Sequence, residues 1–177
     1  MSASSLIASI GPVMQLAFVP EDFDAAITHW TKVMGVGPFF WIEQAGLRNA
    51  RFEGRASDVD FGLAIAYWGD VQIELIKQHN DAPSIYRSAP YARAGLHHMC
   101  VLTDDIGKSR SAAEGVGATF PLEADAPGGG AVFYADCGGD QGLIEVLQPA
   151  PGSLGFFDMM KETAKGWDGA DPVRPVR

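Results

Sequence analysis

Basic residues are scarce in this sequence. Its 177 residues carry 13 Lys and Arg against 22 Asp and Glu, a formal charge of −9, which repels phosphate backbones and anionic lipid surfaces. Neither nucleic acid nor a membrane is an expected partner, and no apolar run approaches the roughly 18 residues that a membrane-spanning helix needs. The start, Met1-Ser2-Ala3-Ser4-Ser5-Leu6-Ile7-Ala8, has no basic residue ahead of its short apolar patch, so no secretory signal is expected. There are only two cysteines, Cys100 and Cys137, each inside a strand-like run. That excludes a disulfide framework and a paired-thiol zinc motif, and predicts two reduced, buried thiols in a cytoplasmic protein. Gly-x-Gly-x-x-Gly, a complete phosphate-binding loop, His-Glu-x-x-His and Gly-x-Ser-x-Gly are also missing. Gly107-Lys108-Ser109 is only a fragment of such a loop and falls inside an expected helix.

What the sequence does contain is a repeat. Residues 12–19 form an apolar, β-prone run that leads through Pro20-Glu21-Asp22 into a helix over about 22–34, with Phe23, Ala26, Ile27 and Trp30 on one face. Strand-like runs follow at 39–43, extending through 47–52, at 59–68 and at 71–78, the last two joined by Gly69-Asp70, a hairpin pair. After a polar loop the pattern restarts. A strand at 96–102, a helix capped by Thr103-Asp104-Asp105, and strands at 119–122, 132–136 and 143–148 repeat the order β-α-β-β-β. The reading is an α+β fold: two tandem βαβββ modules (10–78 and 95–149), an inter-module loop (79–94), and a C-terminal helix with a loose tail (150–177).

One polar side chain interrupts an apolar strand at four matching places. Gln15 and His98 sit in the first strand of each half, and Glu74 and Glu145 in the last. A carboxylate buried in an apolar strand is costly unless it is paired or coordinated, and no Lys or Arg in these strands offers compensation. A divalent cation balances two carboxylates while a neutral His and an amide oxygen complete four protein contacts, so the pattern predicts a metal site at Gln15, Glu74, His98 and Glu145.

The doubled βαβββ pattern with these four slots filled resembles the vicinal oxygen chelate superfamily, which includes glyoxalase I, methylmalonyl-CoA epimerase, extradiol dioxygenases and the fosfomycin- and bleomycin-resistance proteins. Two segments carry the likeness: Gly95-Leu96-His97-His98-Met99 with Thr103-Asp104-Asp105-Ile106, and Gly142-Leu143-Ile144-Glu145-Val146-Leu147-Gln148-Pro149. They look like the epimerase-type branch. By that likeness His98 rather than His97 is the ligand. The set Gln, Glu, His, Glu is similar to that of zinc-type glyoxalase I, whereas epimerases usually carry His where this chain has Gln15. With one His at the matching slots, the two-His iron site of the dioxygenases is not matched.

The resemblance implies a cytoplasmic isomerase, epimerase or lyase that uses a divalent ion (Zn, Co, Ni, Mn or Fe). It would remove a proton beside a carbonyl or acyl thioester, with the ion stabilising the enolate. The base role falls to Glu145, with Glu74 for the opposite face, and the family implies a homodimer. Glu43 is the nearest acidic residue for an epimerase-type second glutamate. The alternatives are a non-catalytic small-molecule binder and, less well matched, a ring-cleaving dioxygenase. Phe39, Phe40, Trp41, Tyr67 and Trp68 are candidate pocket walls. Arg48, Arg51, Arg55, Arg87 and Arg93 are candidates for holding a carboxylate or a coenzyme A phosphate, or are simply solvated. The loop over 78–84 is a candidate rim.

Overall fold

The structure, a computed structural model, describes residues 7–176; most of the N-terminal stretch 1–8 noted above lies outside it. Eleven strands form one mixed sheet. In chain order they are β1 (Val13–Val19), β2 (Phe39–Ile42), β3 (Arg48–Phe52), β4 (Arg55–Ala56), β5 (Phe61–Trp68), β6 (Val71–Gln78), β7 (Gly95–Leu102), β8 (Thr119–Ala126), β9 (Gly130–Asp136), β10 (Leu143–Gln148) and β11 (Val173–Pro175). The helices are α1 (Phe23–Thr28), continued by a π-turn over His29–Val33, α2 (Ile106–Gly115) and α3 (Ser153–Ala164).

Aspartates start the first two helices. The Asp22 carboxylate accepts from the Ala25 amide at 2.9 Å, and Asp105 accepts from the Lys108 amide at the same distance, each satisfying an orphan donor of the first turn.

Strand order across the sheet is β11-β2-β5-β6-β1-β7-β10-β9-β8-β3-β4. The two halves meet where β1 runs antiparallel to β7, and each half lays its last strand parallel to its first, β6 on β1 and β10 on β7. The sheet is strongly curved, as a length argument shows. β2 and β3 stand eight places apart in that order, about 38 Å along a flat sheet at ~4.8 Å per strand. The chain joins Ile42 to Arg48 in six Cα steps, which span at most about 22 Å. The two flanks must therefore approach one another, and the sheet wraps into an unclosed trough bridged by residues 43–47.

Alternation along each strand sorts side chains between the two faces. On the convex face Leu16, Phe18, Ile73 and Leu75 pack beneath α1, and Val101, Phe133 and Val146 pack beneath α2 with Ile106 and Ala113. Ile73 and Leu75 are fully buried, each contributing roughly 1.5–3 kcal/mol by removal from water. On the concave face are Ala17, Phe61, Leu122, Val132 and Tyr134. Helix α3 closes one end of the trough, with Met160 and Phe156 against Phe40, Ile65 and Tyr67, and Lys161 pairs with Asp70 at 2.7 Å.

Three expectations are corrected here. The run at 39–52 is two strands rather than one, because Gly46 adopts φ +70° and the chain crosses the trough, so that β3 pairs with β8 of the second half. The tail is not loose. Its β11 adds a parallel strand to β2, with the Phe39 amide donating to the Pro172 carbonyl at 2.8 Å, and Trp167 lies flat on Gly37, where any Cβ would clash at 2.6 Å. Cys137 is exposed in the turn after β9, whereas Cys100 is buried and both thiols are free; Gly138 and Gly139, both at positive φ, end the strand one residue before Cys137. Among the described residues no helix is long and apolar enough to cross a membrane.

Candidate metal centre

The four positions singled out above lie on the four central strands, β6, β1, β7 and β10. Gln15, Glu74, His98 and Glu145 are all buried. The outer two strands of this group are separated by three strand spacings, ~14 Å of backbone, so the longer Glu side chains reach inward from the flanks while His98 stands between them.

Donor atoms of Glu74, His98 and Glu145 lie within 4.8 Å of one another. His98 Nε2 is 2.9 Å from Glu145 Oε2 and 3.6 Å from Glu74 Oε2. Gln15 joins from β1 with its amide nitrogen, which donates to Glu74 Oε1 at 3.3 Å and to Gln72 Oε1 at 2.9 Å. The fourth expected side chain is therefore beside the cluster, but it presents N–H rather than oxygen, because the carboxyl and amide oxygens it meets on Glu74 and Gln72 are acceptors. Gln72 in turn donates to the Tyr67 hydroxyl at 2.7 Å.

The histidine tautomers follow from the partners. The Ile85 carbonyl can only accept, so His97 Nε2, 3.0 Å away, carries the proton. Burial, with the charge of His98 second, pushes the pKa of His97 down to about 4, so this ring is neutral near pH 7 and its Nδ1 is an acceptor. His98 Nδ1, 3.0 Å from that atom, therefore donates to it. In a neutral ring this leaves Nε2 of His98 as a bare lone pair, and it is the one buried side-chain polar atom among the described residues without a hydrogen bond. That buried, unpartnered nitrogen stands 2.9 Å from Glu145 Oε2.

Two ionised carboxylates within 4.8 Å would also repel by about 3.5 kcal/mol or more at an effective dielectric near 20. Burial, and then the Glu145 charge, hold the Glu74 carboxyl well above its usual pKa range. A bare imidazole nitrogen and two carboxylate oxygens converging without a counter-ion form the donor set that a divalent cation completes. The residues fit such an ion, with His97 and the Ile85 carbonyl fixing the orientation of His98.

A cavity of about 360 Å³ opens over the cluster, with Gln15, Gln72, Glu74, Tyr134 and Glu145 at its polar floor and Met14, Leu63, Leu147 and Phe157 among its walls. The expected aromatic walls do not line it. Phe39 and Trp41 point to the convex face, Trp41 against Phe23. Phe40 and Tyr67 are covered by α3, and Trp68 is exposed against Trp30. None of the five candidate arginines borders the cavity. Arg87 pairs with Asp81, Arg93 donates to the Asp140 carbonyl, and Arg51 to that of Gly54. Glu43 is exposed and accepts from Trp41 Nε1 at 2.6 Å. The loop over 78–84 forms no rim; Ile85 and Tyr86, just after it, are buried beneath the site instead.

Gln72 and Tyr134 were not singled out in the sequence. Gln72 had a signal, since it lies two residues before Glu74 and so shares its face. Tyr134 stands opposite Glu145 in the β9–β10 register, which only the turn geometry fixes.

A family model described as the glyoxalase, bleomycin resistance protein and dioxygenase superfamily matches residues 14–135. The chain belongs to that superfamily. No curated protein sequence matches it. Among solved structures, methylmalonyl-CoA epimerase from Mycobacterium tuberculosis is similar at TM-score 0.54 and 15% identity, over 88% of this chain and 97% of that one. A hypothetical protein from Bacillus halodurans is similar at 0.52 and 11%, over 78% and 94%. A Streptomyces coelicolor methylmalonyl-CoA epimerase variant in complex with 2-nitronate-propionyl-CoA is similar at 0.50 and 14%, over 80% and 99%. At these identities the likeness is one of fold.

Proposed function

We propose that this protein is a metal-dependent isomerase, epimerase or lyase that moves a proton on the carbon beside a carbonyl. The observation that carries this reading is the bare, buried Nε2 of His98 between the Glu74 and Glu145 carboxylates, at the floor of a cavity large enough for a small molecule. Glu74, His98 and Glu145 would hold a divalent ion, with Gln15 beside them as the fourth side chain. When bound, the ion supplies Lewis-acid polarisation of the carbonyl oxygen.

The rest of the chemistry belongs to the chain. Glu145, reaching in from β10, takes the α-proton on one of its carboxylate oxygens. Glu74, reaching in from β6, faces the same space from the other flank, the arrangement that a return of the proton to the opposite face requires. The apolar walls limit the water around the site, which strengthens these charge interactions.

The test is α-proton exchange in deuterated water, followed by NMR on a panel of carbonyl compounds and acyl thioesters. Wild-type protein loaded with Zn, Mn, Co or Ni is expected to exchange, and Glu145→Gln to lose at least ~100-fold while retaining the fold. A mutant that exchanges as fast as its parent removes Glu145 as the base. Purified protein that holds well under one divalent ion per chain, and regains none on dialysis, overturns the metal-dependent reading in favour of a binder.

A further inference from the structure

We infer that the cavity selects an uncharged, largely apolar ligand and rejects carboxylates. The inference rests on the proton-transfer reading for the role of the site, and it names the ligand class. Its basis is the charge of the walls. The cavity is bordered by two carboxylates and, among the described residues, by no lysine or arginine. The cations on and just after α3, which closes it, are committed outside, Lys161 to Asp70 and Lys165 to Glu162. A divalent ion would balance Glu74 and Glu145 and leave no positive charge for a third anion.

Most of the remaining surface is hydrocarbon, from Met14, Ile42, Leu63, Leu147, Phe156 and Phe157. A ligand carboxylate seated there would be desolvated with no Lys or Arg to pair with and no side-chain donor beyond the glutamine amides and the Tyr134 and Ser153 hydroxyls. A neutral ligand avoids that cost, and proton removal then creates one negative charge where a second would have no partner. At about 360 Å³ the space is at the small end of ligand pockets, fitting a compact carbonyl compound with an apolar substituent.

The experiment uses a matched pair of similar size, neutral 1-phenyl-1,2-propanedione and anionic phenylpyruvate. Each is titrated into the full-length protein, metal-free and zinc-loaded, with binding followed by the amide NMR shifts of Met14, Leu147 and Phe157. The dione is expected to bind at least ~100-fold more tightly than phenylpyruvate. Phe157→Arg, which places a cation on the half-buried wall, is expected to narrow that ratio at least ~10-fold. Phenylpyruvate binding as tightly as the dione, or neither compound shifting these amides, overturns the inference. Dione bound without α-proton exchange refutes the proton-transfer reading and supports the ligand class. Exchange together with a preference for the carboxylate does the reverse.

Discussion

His98 is where the energetics of the site concentrate, because its unpartnered Nε2 is held against the acceptor oxygens of two carboxyl groups by a hydrogen-bond chain that runs back through His97 to the Ile85 carbonyl. A bound divalent ion relieves this opposition. Zinc at about 100 times its dissociation constant is expected to stabilise the protein by ~2.7 kcal/mol, read as a rise in Tm, and His98→Ala should abolish the rise. His97 makes a pH prediction whose sign can be fixed. Folded His97 stays neutral to about pH 4, while the unfolded residue takes a proton below ~6.5, so acidification across that window favours unfolding. Glu74 works oppositely in the metal-free protein: with its folded pKa raised, its contribution is present at low pH and fades as pH rises. In Glu74→Gln that opposing effect is gone, and stability should fall by about 1.4 kcal/mol per pH unit between ~6.5 and ~4. Urea unfolding across this range tests it, and adding His97→Asn should flatten the slope. At this scale the ligand-capable residues were legible in the sequence because a carboxylate in an apolar strand has few physical explanations. The aromatic walls were not. Strand parity alone leaves open which face Phe39 and Trp41 take, and nothing local shows that α3 would cover Phe40 and Tyr67.

The elements nearest the site depend on a glycine. Gly142 opens β10 at φ +88°, and a Cβ there would stand 2.7 Å from the His97 carbonyl oxygen, so this position carries both a backbone and a steric constraint. Gly142→Ala is expected to cost ~1–3 kcal/mol and to weaken metal binding, because β10 and β7 carry Glu145 and His98 in one register. Gly138→Ala, at similar φ but with open space around its Cβ, should cost less and leave metal affinity unchanged. Denaturant midpoints and metal titrations of the two variants separate these effects. Most strands and all three helices were visible in the sequence through periodicity and caps such as Asp22 and Asp105. The separate β3 was hidden because its partner, β8, comes from the other half, and β11 because three residues with a proline carry no strand periodicity.

At the scale of the whole molecule, the cluster draws Glu74 from the first half of the chain and His98 and Glu145 from the second. A fragment ending at residue 94 and one beginning at 95 are each expected to bind zinc at least ~100-fold more weakly than the intact chain, since neither holds the full donor set; calorimetry checks this. The repeat itself was legible because, the β3–β4 hairpin apart, each half runs strand, helix and three strands. The closeness of the trough's flanks was not, since it depends on long-range pairing. Residues 43–47 act like a bowstring across the trough: Gln44, Ala45 and Leu47 face the cavity, and the string cannot stretch. The chain's own covalent length therefore limits how far the two flanks can part, to about 22 Å between Ile42 and Arg48.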